Sequence, residues 1–219
     1  MAKDLAIVLN SASINSAVAT TLAAQRFRVI LLHVETAEAT PPARRSAYEQ
    51  QAIYFKPFRE HTLSMPFLSM FHPDDRSAAA ASDPRHAPML APQMIDMLPL
   101  LALAARFAAH YQASSVFTGF RVGPAADDLA RATEYVQVWN EMLQLPCNKP
   151  DLSIEAPLLD LEAWQVVDLG FQTAAPLERT WTCTEPGPEP CWACAACRNR
   201  EAAFQQAAKP DPLKTVRKG

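Results

Sequence analysis

Residues 5–34, LAIVLNSASINSAVATTLAAQRFRVILLHV, decide the fold. Leu5–Leu9 is a short apolar run of the buried-strand type, Asn15–Arg26 spaces its apolar residues as a helix does, and Val29–Val34 is a second apolar run rich in β-branched residues. Strand, helix and strand make a βαβ unit. Such a unit crosses over right-handed, builds a parallel sheet and leaves its ligand site at the C-terminal ends of the strands. Between the first strand and the helix lies NSASINS (residues 10–16), small and amide residues where α/β proteins build a phosphate-binding turn.

Outward from this unit the alternation continues. Residues 43–60 predict a helix after Pro41–Pro42, and HTLSMPFLSM (61–70) a third strand weakened by Pro66. The Pro, Asp, Ser and Ala content of residues 72–88 predicts a mobile loop. Residues 92–112 read as a long buried helix with a kink or boundary at Pro99, and SSVFTGF (114–120) as a strand. A helix over 125–145 carries Asp127 and Asp128 near its start, where they suit the helix dipole. SIEAPLL (153–159) is the last strand, and LEAWQVVDLGF (161–171) a short helix with Gly170 as its C-cap. Helices alternating with strands give an α/β class with a parallel sheet.

At 219 residues the chain is long enough to bury a full core, and its 49% hydrophobic content fits a soluble globular protein. No apolar run approaches the roughly 18–20 residues of a membrane span, so no membrane role is expected. The N-terminus does not read as a secretory signal, which places the protein in the cytoplasm. A formal charge of −3 excludes the broad basic surface of a nucleic-acid binder, and Arg44–Arg45 reads as a solvated surface pair. Only 5 glycines stand against 19 prolines, which is few for a backbone that must wrap phosphate.

The most informative chemistry is CTEPGPEPCWACAAC (183–197). Cys183, Cys191, Cys194 and Cys197 can converge on one tetrahedral ion, since two-residue gaps let a tight turn aim neighbouring sulfurs at one point. In a reducing compartment metal is a better reading than disulfides. Zinc fits best, with an iron–sulfur cluster as the alternative; four thiolates fill the zinc shell, so the site is structural. Trp192 reads as a cover over the metal, and Cys147 stands apart as a small buried apolar group. Among the histidines, His33, His61, His72, His86 and His110, His33 lies at the strand end where a ligand is expected, and a hydrogen-bonding structural role is the simpler reading.

PLERTWTCTEPGPEPCWACAACRNREAAF (176–204) resembles the C-terminal end of the 7-cyano-7-deazaguanine synthase (QueC) family, with Thr180, Trp181, the four cysteines, Arg200 and Phe204 in matching places. Pro157–Leu158 and Gly170 extend the likeness over nearly the whole chain. The resemblance implies a Rossmann-like α/β fold of the PP-loop (adenine nucleotide α-hydrolase-like) type with a small C-terminal zinc-binding helical segment. It divides the chain into residues 1–175 and 176–219. It further implies a homodimer, and a ligase that uses ATP, Mg2+ and ammonia to turn 7-carboxy-7-deazaguanine into the nitrile on the route to queuosine.

Against that family the first turn departs. Its Ser-Gly-Gly-x-Asp-Ser pattern becomes Ser11, Ala12, Ser13, Ile14, Asn15 and Ser16, so both glycines and the aspartate are replaced. Added Cβ atoms crowd a place meant for phosphate, and Asn15 lacks the charge that helps hold magnesium. The family's Tyr-Gly-Gln after the second strand is absent, its Arg-Asn pair falls near Met94–Ile95, an Asn becomes Arg121, and a lysine falls near Ala163. Ser11, Ser13, Asn15, Ser16 and Arg131 remain as the residues of a degenerate nucleotide site. The expectation is a QueC-like protein that keeps a structural zinc but has dropped ATP chemistry, acting as a binding or partner protein for a deazapurine-like or nucleotide ligand. The alternative is an active ATP-dependent ligase that holds phosphate through these altered residues and converts 7-carboxy-7-deazaguanine to the nitrile or adenylates a related carboxylate.

Overall fold

A computed structural model describes residues 3–36, 41–71, 91–147, 149 and 151–215. Within it β1 (Leu5–Leu9), β2 (Arg28–Glu35), β3 (Arg59–Ser64), β4 (Ser115–Phe117) and β5 (Ser153–Glu155) form one sheet in the order β3-β2-β1-β4-β5. Every neighbouring pair is parallel. The helices are α1 (Ile14–Arg26), α2 (Pro42–Phe55), α3 (Ala91–Tyr111), α4 (Ala126–Cys147), α5 (Ala163–Gln172), α6 (Ala195–Gln206) and the short α7 (Pro212–Thr215). The strand order reverses between β1 and β4, which makes the space beyond their C-terminal ends the topological switch point.

Strand alternation sorts the core into layers. Ile7, Leu9, Ile30, Leu32, Val116 and Ile154 turn to one face and pack on α3 and α4. Ala6, Val8, Leu31 and Phe117 turn to the other, where Ala23 of α1 and Tyr48 of α2 cover them together with Trp181, Cys183 and Cys197. A third cluster joins Val18 of α1 to Val166 and Val167 of α5 and Phe204 of α6. The last part of the chain thus shares two cores with the sheet's own helices.

Details of the sequence reading shift for identifiable reasons. The helix expected over 43–60 stops at Phe55, because Lys56 takes the left-handed conformation at φ 48° and closes it. The third strand begins earlier, at Arg59, and Pro66 starts a 3-10 turn over Pro66–Phe71 instead of continuing it. Pro99 and Pro146 both lie inside helices, α3 and α4. Gly170 is not a cap: α5 runs on to Gln172 and ends at Thr173. It marks a helix crossing, where an added Cβ would stand 3.0 Å from Leu177 and 3.2 Å from Val18. The expected loop at 72–88, with His72 and His86, lies outside the described residues. Among the described residues no helix is long and apolar enough to cross a membrane.

Candidate functional site

The turn after β1 is organised by a residue that the sequence reading passed over. Asn10 is buried, and its amide nitrogen donates to Thr20 Oγ1 (3.1 Å) and Gln51 Oε1 (2.9 Å). Its amide oxygen accepts from the backbone N–H of Ala12 (2.8 Å) and from Ser16 Oγ (3.3 Å). His33 braces the same residue from β2, with Nδ1 2.7 Å from the Asn10 carbonyl oxygen. A carbonyl only accepts, so Nδ1 carries the proton. His33 is buried against Tyr48, ring centroids 4.3 Å apart, and burial lowers its pKa. It lines neither cleft described below; its role is to hold the turn.

Ala12 keeps a glycine's backbone, at φ 63°. An alanine there costs roughly 1–2 kcal/mol relative to a right-handed position. Its methyl does not point over the turn as expected from the sequence: Ala12 is fully buried in the core beside Trp181 and Cys183. Its carbonyl accepts from the N–H of Trp181 (2.8 Å) and from Gln51 Nε2 (3.3 Å), which ties the turn to the C-terminal segment.

What has changed most is the mouth of α1. Ser13 is the N-cap, and its Oγ accepts from the backbone N–H of Ser16 (3.3 Å), one of the donors that a bound anion would otherwise use. Ser11 Oγ donates to Ser13 Oγ (3.0 Å), and Ser16 Oγ reaches the Ser13 carbonyl (3.1 Å). The three hydroxyls satisfy one another and the helix end. Gly119, just past β4, presses on this turn from the far side: an added Cβ would stand 2.8 Å from the Asn15 carbonyl carbon and 2.9 Å from the Ser16 nitrogen.

Two clefts open on either side of the turn, and Ser11, Ser13 and Asn15 line both. One, of about 230 Å³, lies at the switch point between apolar Leu32, Val34, Met97 and Phe120. The other, of about 300 Å³, is bounded by Arg44 of α2, Arg121, Ala163 and Val167 of α5, and Asn199 and Arg200 of α6. Arg121 and Ala163, where the family resemblance puts a lost Asn and a lost Lys, therefore face the same cleft as the altered turn. Arg131 does not join them: it lies exposed on α4 and lines neither cleft.

Arg44 and Arg45 are not one solvated pair. Arg45 clamps Glu35 through two bonds (2.9 and 2.8 Å), whereas Arg44 turns into the cleft with a buried Nε that has no partner. Arg121 donates through Nη1 to the Leu161 carbonyl (3.0 Å), and its Nε is likewise buried without a partner. Burial lowers the pKa of both guanidinium groups. Arg200 differs: Asp211 receives its Nε and Nη2 (2.7 and 2.8 Å) and Thr180 Oγ1 its Nη1 (2.8 Å), deep in the protein.

The cysteines converge as their spacing predicts. The four Sγ atoms of Cys183, Cys191, Cys194 and Cys197 lie within 4.8 Å of one another, and Cys191 and Cys197 are 3.9 Å apart. Sulfurs about 2.3 Å from a central ion sit about 3.8 Å from each other, and a disulfide needs about 2.05 Å. Free backbone N–H groups are already turned on the sulfurs: Cys194 and Ala193 donate to Cys191 Sγ (3.2 and 3.4 Å), and Cys197 to Cys194 Sγ (3.4 Å). Hydrogen bonds from Thr184 and Cys197 pull the Cys194 thiol down to about 5, while burial pushes Cys197 up to about 12. Trp192 makes the tight turn between two of them at φ 53°, under Lys214 Nζ (4.8 Å to the ring centre). The cluster is compatible with structural zinc. Cys147 stands apart against the α3–α4 core.

Comparison with known proteins agrees with this architecture. The family model described as "Queuosine biosynthesis protein QueC" matches residues 5–208. The 7-cyano-7-deazaguanine synthase of Methanothrix thermoacetophila is 34% identical over 116 residues, an alignment that spans 52% of this chain and 51% of that protein. The 7-cyano-7-deazaguanine synthase of Chloroherpeton thalassium is 23% identical over 216 residues, 95% of each chain. Among solved structures, NMN synthetase from Francisella tularensis superposes with a TM-score of 0.50 at 15% identity, covering 99% of this chain and 82% of that one. That last likeness is one of fold.

Proposed function

The chain belongs to the QueC family, and from that premise we propose that it is a zinc-holding member in which ATP-dependent ligation has been lost while the cleft is kept for binding a small molecule. The carrying observation is the convergence of changes on one cleft: the self-capped Ser11–Ser16 turn, Arg121 and Ala163 all line it. A turn whose hydroxyls and N-terminal N–H are mutually bonded offers a triphosphate little without breaking its own bonds. Asn15, half-buried in both clefts, brings no negative charge with which to hold magnesium beside phosphate. Zinc in the four-cysteine shell supports the fold and leaves no open position for chemistry.

The alternative is an active ligase of the 7-cyano-7-deazaguanine synthase type. It draws on Ala12, whose left-handed backbone keeps the path of a glycine turn. Isothermal titration with Mg-ATP separates the two. Loss of ligation predicts no saturable heat and no release of AMP. Micromolar binding accompanied by AMP and pyrophosphate, or rescue of a strain lacking the synthase, would overturn it. Restoring Ala12→Gly, Ser13→Gly and Asn15→Asp together is expected to raise ATP affinity. The same reading includes self-association into a homodimer in the cytoplasm and a protein partner, for which light scattering on the purified protein measures the first.

A further inference from the structure

We propose that the N-terminal end of the sheet is a docking surface for a short acidic segment of a protein partner, whose carboxylates are taken by Arg28 and Arg59 with Lys3, Arg26 and Lys56 around them. The proposal rests on the protein partner included above and not on the loss of ligation, because both clefts lie beyond the opposite ends of the strands.

These cations, all exposed, gather where β1, β2 and β3 begin. Parallel register puts Leu5 beside Arg28 and Ile30 beside Arg59, so the starts of the three strands are neighbours. Lys3 precedes β1, and the backbone N–H of Arg28 donates to the Asp4 carbonyl (2.9 Å). Arg26 ends α1 and Lys56 caps α2. Two half-buried rings hold the arginines. The guanidinium carbons of Arg28 and Arg59 lie 4.2 and 5.0 Å from the centre of Phe58, and that of Arg26 lies 5.1 Å from the centre of Phe27. Among the described residues none of these cations makes an ion pair, and the acids beside them in sequence, Asp4 and Glu60, are themselves exposed.

Part of this charge has a local reason. Lys3 Nζ donates to the Ala24 and Gln25 carbonyls (3.2 and 2.9 Å) and so closes the end of α1, where Arg26 also suits the helix dipole. Arg28 and Arg59 have no such acceptor: Arg59 reaches only the Phe58 carbonyl (3.2 Å), and among the described residues the Arg28 side chain makes no hydrogen bond. Two like charges brought to one ring without an acid between them favour an anion from outside. A guanidinium laid on a ring keeps its N–H edge free, and that edge receives a carboxylate in two parallel bonds. Acidic protein suits this surface better than nucleic acid for two reasons. Phe58 and Phe27 are taken up by the core on one side and the guanidinium groups on the other, which leaves a base no aromatic platform. The chain also carries −3 overall, so the surface beyond these cations holds the acid excess, which repels a long polyanion more than a segment as short as the cluster itself.

Full-length, zinc-loaded protein is titrated at about 50 mM salt with fluorescein-labelled octaglutamate, octaglutamine and an oligouridylate of the same length, read by fluorescence anisotropy. Saturable binding of octaglutamate is expected, with none of octaglutamine, and it should weaken as salt rises. Arg28→Gln with Arg59→Gln should weaken it about tenfold or more, and Arg28→Lys with Arg59→Lys by less. Arg106→Gln, the same charge change at an exposed position of α3, should leave it unchanged. No binding of octaglutamate, equal binding of octaglutamine, indifference to the two arginines, or an equal loss with Arg106→Gln would overturn the surface. So would equal or tighter binding of the oligouridylate, for then this end of the sheet takes nucleic acid. If the double glutamine variant fails to fold, Arg28→Gln alone decides. Octaglutamate left unbound removes this surface and leaves the loss of ligation standing, and a positive Mg-ATP titration does the reverse.

Discussion

The front turn and the cysteine segment are built alike and differ in what completes them. Each is a tight turn running into a helix, Ser13 capping α1 and Cys194 capping α6, each side chain accepting from the N–H three residues on. In the front turn the acceptors and donors are neutral hydroxyls that pair off with one another, so the turn is finished as it stands. In the tail four sulfurs gather within 4.8 Å of one another, where burial favours one thiol and hydrogen bonds favour another thiolate, a donor set that suits a cation. The same local geometry can therefore close a site or fit an occupant, depending on the groups it gathers.

The comparison breaks first at the metal. Cys197→Ser should abolish stoichiometric zinc, read by elemental mass spectrometry, and lower the melting temperature by about 10 °C or more. A variant that melts like the parent would show that the tail needs no ion. Next comes the buried pair that anchors α6 behind the cysteines. Arg200→Ala strands the Asp211 carboxylate and is expected to cost about 3–5 kcal/mol in urea unfolding.

At the front turn the effects are smaller. Gly119→Ala drives a methyl into the Asn15–Ser16 backbone and should cost about 1–3 kcal/mol, with the largest amide shifts in residues 13–16. His33 has a lowered pKa in the fold, so below the unfolded value of about 6.5 the unfolded chain binds the extra proton and stability falls with falling pH. The parent should lose up to about 1.4 kcal/mol per pH unit more than His33→Gln over that window, measured with the metal content held constant. Ser13→Ala removes the self-cap and should cost only about 1 kcal/mol, while freeing the Ser16 N–H for an anion.

Which parts were legible in the chain follows from how local their causes are. The apolar runs at 5–9 and 29–32 are largely buried on both faces of a parallel sheet, so β1, α1 and β2 fall where the residues put them. Two-residue cysteine gaps encode their own geometry, and the four sulfurs meet. Arg44 was hidden because its environment depends on α2 lying across β2 near Cys183, which no spacing states. Gly119 was hidden because its reason is the backbone of Asn15, far away in sequence. Arg131 misled for the converse reason: a match in position along the chain does not tell which side of α4 it stands on, and it stands outside.

The Trp181 amide bonded to the Ala12 carbonyl joins the first turn to the segment that carries the cysteines. As the polypeptide is synthesised, β1 leaves the ribosome long before Trp181 does, so the first turn must wait with only Gln51 Nε2 on its carbonyl until the segment that carries Trp181 is out. A protein truncated before residue 181 would carry the complete parallel sheet and still lack the strap that fixes its opening turn, which makes arrival of the last segment the event that finishes the first.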